Sequence, residues 1–230
     1  MIIDTHCHFD MMPNPEAYIE SKELAGDIII GMTNLPSHFM MGLPHLKSYK
    51  HVRLALGMHP LLAAENMNEL TLFRQLLDQT SYIGEIGLDF SNEGNNSKIE
   101  QVFLLREILS SLKGKKKVIS VHSRKAEKIL LGLLCEHNIQ NVIFHWYSGS
   151  LELIPSIIER GYYFSINESM CSSQNGRSII SMIPHDRVLT ETDLPFNPKA
   201  DIKKVLTFMN MTETDVYSNF MTLINRIKDN

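Results

Sequence analysis

The chain has 230 residues, a formal net charge of -4 and 43% hydrophobic residues. That balance excludes a protein whose whole surface neutralises nucleic-acid phosphates, but not an enzyme that grips a substrate through a few local groups. Cys7, Cys135 and Cys171 are too widely spaced for a disulfide framework or a Cys-x-x-Cys site. The start carries Asp4, His6 and His8 instead of a basic, apolar leader, and no apolar run approaches the ~18 residues of a membrane span. A cytoplasmic protein with no membrane partner is therefore expected.

Taken in chain order, short β-rich runs recur at Met1–Thr5, Asp27–Thr33, His51–Leu56, Tyr82–Ile86, Lys117–Val121, Asn141–Phe144, Tyr162–Ile166 and Arg187–Thr190. Helical patterns fall between them at Leu70–Gln79, Lys98–Leu112, Arg124–His137, Ser150–Arg160 and Asn175–Met182. Asp201–Met209 and Glu213–Lys228 follow the last strand, with Thr212 and Asp215 placed as a capping box. Alternation of this kind predicts a parallel sheet. Eight units in a chain of this length predict an α/β fold, a (β/α)8 TIM barrel, forming one domain over residues 1–230. No Gly-x-Gly-x-x-Gly follows the first strand, which disfavours a nucleotide-binding open sheet. The run Lys113, Lys115, Lys116 and Lys117 precedes the fifth strand, at the barrel end opposite the usual active site, and reads as a solvated charge run, with a nucleic-acid or partner contact as the alternative.

Histidines collect at strand ends. His6 and His8 close the first strand, His59 follows the third in GMHP, His122 ends the fifth and His145 the sixth. Glu85 lies on the fourth and Asp193 just past the eighth. The two-residue period of a strand turns His6 and His8 to one face and Cys7 to the other. Asp4 shares their phase a step deeper and is expected to support the ligand layer. Residues at the C-terminal strand ends of a barrel converge on its axis, so these groups would share one mouth. Imidazole with carboxylate suits Zn, Mn, Fe or Co. Six such groups, with His59 set aside, suffice for two ions with a bridging carboxylate, the arrangement that activates water against a phosphodiester. His38, His45, His51, His137 and His185 fall elsewhere and are not expected to be ligands.

The ordered set DTHCHFD, GMHP, IGEIGLD, HSR, FHWYSG, GYYFSI and LTETDLP, spanning residues 4–195, resembles the TatD family of metal-dependent deoxyribonucleases, amidohydrolase-like barrels. The resemblance implies two divalent ions (Zn, Mg or Mn). His6, His8 and Asp193 would hold the first, His122 and His145 the second, and Glu85 would bridge them. It also implies catalytic roles for Asp193 and Glu85, substrate contacts from His59 and Arg124, and a supporting position for Glu191. The implied activity is a 3'-5' exonuclease-type DNase acting on single-stranded DNA or a DNA terminus. The polar FSNEGNNSK loop after Asp89 and the short NPKADIKK segment depart from the family pattern. With the short length and Trp146, they resemble the TatD-type component of Qat (QueC-associated) anti-phage systems, which implies other defence-system proteins as partners. Two further functions fit the sequence: a small-molecule amidohydrolase or phosphoesterase on the same barrel, and a non-catalytic component of a defence complex.

Overall fold

The computed structural model describes residues 1–228. Residues 229 and 230, the end of the expected domain, lie outside the described residues. All eight expected strands form: β1 (Ile3–Cys7), β2 (Ile28–Gly31), β3 (Val52–Leu54), β4 (Tyr82–Asp89), β5 (Val118–Arg124), β6 (Val142–His145), β7 (Tyr163–Ile166) and β8 (Val188–Thr190). The helices are α1 (Pro15–Ala25), α2 (Pro36–Gly42), α3 (Leu70–Leu76), α4 (Lys98–Leu112), α5 (Glu127–Glu136), α6 (Ile154–Glu159), α7 (Glu168–Ser172), α8 (Gln174–Ile180), α9 (Ile202–Met209) and α10 (Glu213–Asn225). None of the helices among the described residues is long and apolar enough to cross a membrane.

The strands are parallel and form two ladders, β1-β2-β3 and β4-β5-β6-β7-β8. A parallel bridge from Leu56 to Ile83 joins the ladders at one seam. At the other, β8 meets β1 through threonines: the Thr5 hydroxyl donates to the Thr190 carbonyl at 3.0 Å, and the Thr190 hydroxyl donates to the Ile3 carbonyl. Just beyond, the Asp193 amide donates to the His6 carbonyl at 2.9 Å. The result is the expected TIM-barrel-like α/β fold, with strand ends on both sides of each seam brought together.

Two elements run past their predicted ends for one reason. β4 and β5 remain paired as far as Asp89 and Arg124, so Arg124 closes a strand instead of opening a helix, and α5 starts at Glu127. Gly87 permits this pairing: it sits at φ +146 opposite His122, and a Cβ there would run into the His122 backbone. The Thr212–Asp215 capping box is present, with the Asp215 amide donating to the Thr212 hydroxyl oxygen at 3.2 Å and the Thr212 amide donating to Asp215 at 2.7 Å. Helices α1, α2 and α7 have no counterpart among the sequence expectations. Cys7 faces α1, where Tyr18 lies beside it, and burial holds its thiol well above the usual range. It is a packing residue.

Thr190→Val keeps the side-chain shape but leaves the buried Ile3 carbonyl without its donor. The expected cost is about 1–3 kcal/mol, read as a lower urea midpoint at unchanged slope.

Candidate metal centre

The centre is organised around Glu85, on β4, whose carboxylate is buried. Five imidazoles face its two oxygens. His122 Nδ1 lies 2.6 Å and His145 Nε2 2.9 Å from Oε1, while His8 Nε2 lies 3.3 Å, and His6 Nε2 and His59 Nε2 each 3.6 Å, from Oε2. Burial opposes the charge on Glu85, but His59, His145 and His122 hold its carboxyl well below the usual range. Asp193 adds a second carboxylate, with Oδ1 at 3.7 Å from His8 Nε2 and 3.9 Å from His6 Nε2. Burial, opposed by His145 and reinforced by Glu191 and Glu85, pushes its carboxyl up to about 7.

The surroundings orient each ring. His6 Nδ1 is hydrogen-bonded to the Ser120 hydroxyl at 2.8 Å, which turns Nε2 inward. His6 also stacks on His145 at 3.8 Å between ring centroids, the planes nearly parallel at 8°. Burial, and then His145, hold His6 well below its usual pKa, so it is neutral. His145 Nδ1 faces Glu191 Oε2 at 3.6 Å. Glu191 is itself anchored by the Ser165 hydroxyl and, at 2.8 Å, by the Asn167 amide. This places Glu191 behind His145.

Asp4 does the same for the β1 end. It accepts from the Thr192 amide at 3.0 Å, the Thr192 hydroxyl at 2.5 Å and the His6 amide at 3.3 Å, tying the two histidines to the segment that carries Asp193. It touches none of the rings' inward nitrogens.

Asp89 escaped the residue-level reading. Its Oδ2 lies 2.9 Å from His122 Nε2, so that ring is clamped between two carboxylates, with Glu85 at its other nitrogen. Burial pulls against the imidazolium, but Glu85 and Asp89 raise its pKa. The signal was available: Glu85, Gly87 and Asp89 are two residues apart along one strand. Gln101 of α4 fixes the Asp89 backbone, accepting from its amide at 2.8 Å and donating to its carbonyl at 2.9 Å.

His59 differs from the other four. Its Nδ1 accepts the Leu61 amide at 3.2 Å, and a neutral ring that accepts at Nδ1 carries its proton on Nε2. Burial lowers its pKa to about 4, so the ring is neutral. It therefore presents a donor to the centre, not a lone pair.

The residues fit divalent ions. His6 Nε2, the nitrogen turned inward by Ser120, is buried without a hydrogen-bond partner among the described residues. Ligand atoms within 4.8 Å of one another form the sets His6–His8–Asp193 and His6–Glu85–His145; Glu85 and His122 are equally close, with the His59 donor beside them. Two ligands on one tetrahedral ion are about 3.3–3.4 Å apart, close to the spacings of His6 and His8 from Glu85. A cavity of about 720 Å³ opens over this centre, lined also by Leu61, Leu62, Trp146 and Phe196. Arg124 lies on its exposed rim, its Nη1 3.7 Å from Glu93 Oε2.

Asp4→Ala strands the Thr192 and His6 amides in the interior. A loss of about 1–3 kcal/mol is expected, read as a fall in the thermal unfolding midpoint.

Residues 3–219 match the family described as TatD related DNase. An uncharacterized metal-dependent hydrolase of Escherichia coli strain K12, YjjV, is 30% identical over 210 residues, covering 85% of this chain and 80% of that protein. The human deoxyribonuclease TATDN3 is 26% identical over 214 residues, covering 84% of this chain and 78% of its own length. The crystal structure of Escherichia coli YjjV superposes with a TM-score of 0.83 at 24% identity, covering 98% of this chain and 97% of that one. The chain belongs to the TatD-related DNase family, a family of metal-dependent hydrolases.

Proposed function

We propose that the chain is a metal-dependent phosphodiesterase acting on DNA, an exonuclease-type DNase that takes a single strand or a terminus in the 3'-5' direction. The observation that carries this reading is the convergence of five imidazoles and Asp193 on one buried carboxylate, Glu85, beneath an open cavity. Relatives named as deoxyribonucleases support DNA as the substrate class. In this reading His6, His8 and Asp193 would hold one ion, His122 and His145 would hold a second, and Glu85 would be shared between them. His122 would ligate through Nδ1, its Nε2 proton held by Asp89. Such ions supply Lewis-acid polarisation of the phosphodiester and a water of lowered pKa.

The chain's own groups do the rest. Asp193, at the cavity wall, accepts the proton of the attacking water. His59 donates a hydrogen bond from its Nε2–H to a phosphate oxygen, and Arg124 adds positive charge at the rim. Trp146 and Phe196 offer aromatic faces to a base at an unpaired end. Glu191, Asp89 and Ser120 keep the imidazoles in register. The resemblance to the Qat component supports a place among anti-phage defence proteins.

End-labelled single-stranded DNA should release nucleotides with Mn or Mg, stop on chelation, and resume on metal return. Asp193→Asn is expected to lower kcat/KM by about 10²–10⁴-fold; equal release by wild type and variant would sink the assignment. His59→Phe should cost about 10²–10³-fold in kcat/KM while the bound-metal content stays unchanged, since the ring acts as a donor and not a ligand.

A further inference from the structure

A second cavity, of about 390 Å³, opens at the N-terminal ends of β3, β4 and β5, the end of the sheet away from the metal centre. Its walls combine three cations, Lys47, Arg53 and Lys117, with the rings of Tyr49 and Tyr82 over a floor of leucine and valine side chains. We propose that this cavity is a binding site for a nucleoside monophosphate, with the phosphate on Arg53, Lys47 and Lys117 and the planar base against the tyrosines and the apolar floor. The proposal stands apart from the reading of the metal centre.

The charge inside the cavity is unbalanced. Its one carboxylate, Asp78, is already engaged by Lys115 Nζ at 2.7 Å. Arg53 is set in place through a single nitrogen: Nη1 donates to the Tyr49 carbonyl at 2.8 Å and the Val52 carbonyl at 2.9 Å. Nε and Nη2 keep their donors for a ligand, in the fork geometry that suits phosphate. Lys117 is half-buried, its Nζ donating to the Thr80 carbonyl at 2.6 Å, and burial lowers its pKa. An anion beside it would favour its charged form. The lysine run before β5 is thereby absorbed into the fold: Lys115 neutralises Asp78 and Lys117 enters the wall.

The occupant follows from the mixture. A free phosphate would use the cations and leave the rings and leucines wet, whereas an uncharged nucleoside would leave the cations unpaired. The volume lies within the range of small-ligand pockets, roughly 300–1,000 Å³.

The test is photolabelling of the full chain with an azido-adenine deoxynucleoside monophosphate, followed by peptide mapping. Label is expected on the segments holding Tyr49 or Tyr82. It should be displaced by dAMP at concentrations about tenfold or more below those needed of inorganic phosphate or deoxyadenosine. Arg53→Gln with Lys117→Gln should weaken displacement by about tenfold or more with DNA hydrolysis unchanged. Should that pair fail to fold, Lys47→Glu, at an exposed position, carries the same expectation. Label confined to segments holding Trp146 or Phe196 would overturn the proposal. So would displacement by deoxyadenosine or phosphate as strong as by dAMP, or unchanged affinity in folded variants.

Discussion

A carboxylate enclosed by imidazoles sets the terms for this molecule. Taking Glu85 out of water costs several kcal/mol unless paired charges and hydrogen bonds replace the lost hydration. His122 and His145 do so within 2.9 Å, and His6, His8 and His59 close the ring. Those five histidines come from both sheet ladders, so the burial of one acid requires the two arcs to meet. The seams serve that end: the Thr5–Thr190 exchange and the Asp193 amide bring β1 against the end of β8, where His6, His8 and Asp193 must face one another.

The surrounding contacts are arranged so that most of these rings aim lone pairs or exchangeable protons inward. Ser120 turns His6, Glu191 stands behind His145, and Asp89 closes the far nitrogen of His122. His59 alone has its tautomer set by a backbone amide, which makes it a donor. One centre thus contains two chemistries, a set of atoms suited to cations and one proton aimed where an anionic oxygen would sit. Trp146 and Phe196 give the same cavity an apolar side.

Much of this was legible in the residues. Strands show as short β-branched runs, and the histidines mark their C-terminal ends, so the eight strands and the cluster at one mouth could be read directly. Asp4 shares the phase of the histidines, and its contacts run to the His6 amide and Thr192. What escaped depends on pairing partners that a single segment does not reveal. Asp89 and Arg124 belong to strands because β4 and β5 hold each other past the turn expected after Ile86 and Val121. Helix α1 had its signals: Asn14 accepts from the Ala17 amide, Pro15 opens the helix and Gly26 closes it at φ 69. Its weak apolar patterning hid it, because only Ile19 is buried. The His59 tautomer follows from where the Leu61 amide points, a tertiary fact. The lysine run read as solvated, yet Lys117 is drawn into the wall of a cavity because the chain before β4 folds across it.

Elemental quantification of the purified chain tests the proposal that Glu85 bridges two cations. About two divalent ions per chain are expected, falling below one in Glu85→Gln while that variant keeps the wild-type fold by circular dichroism. A folded Glu85→Gln chain that retains the full wild-type complement of ions would contradict it.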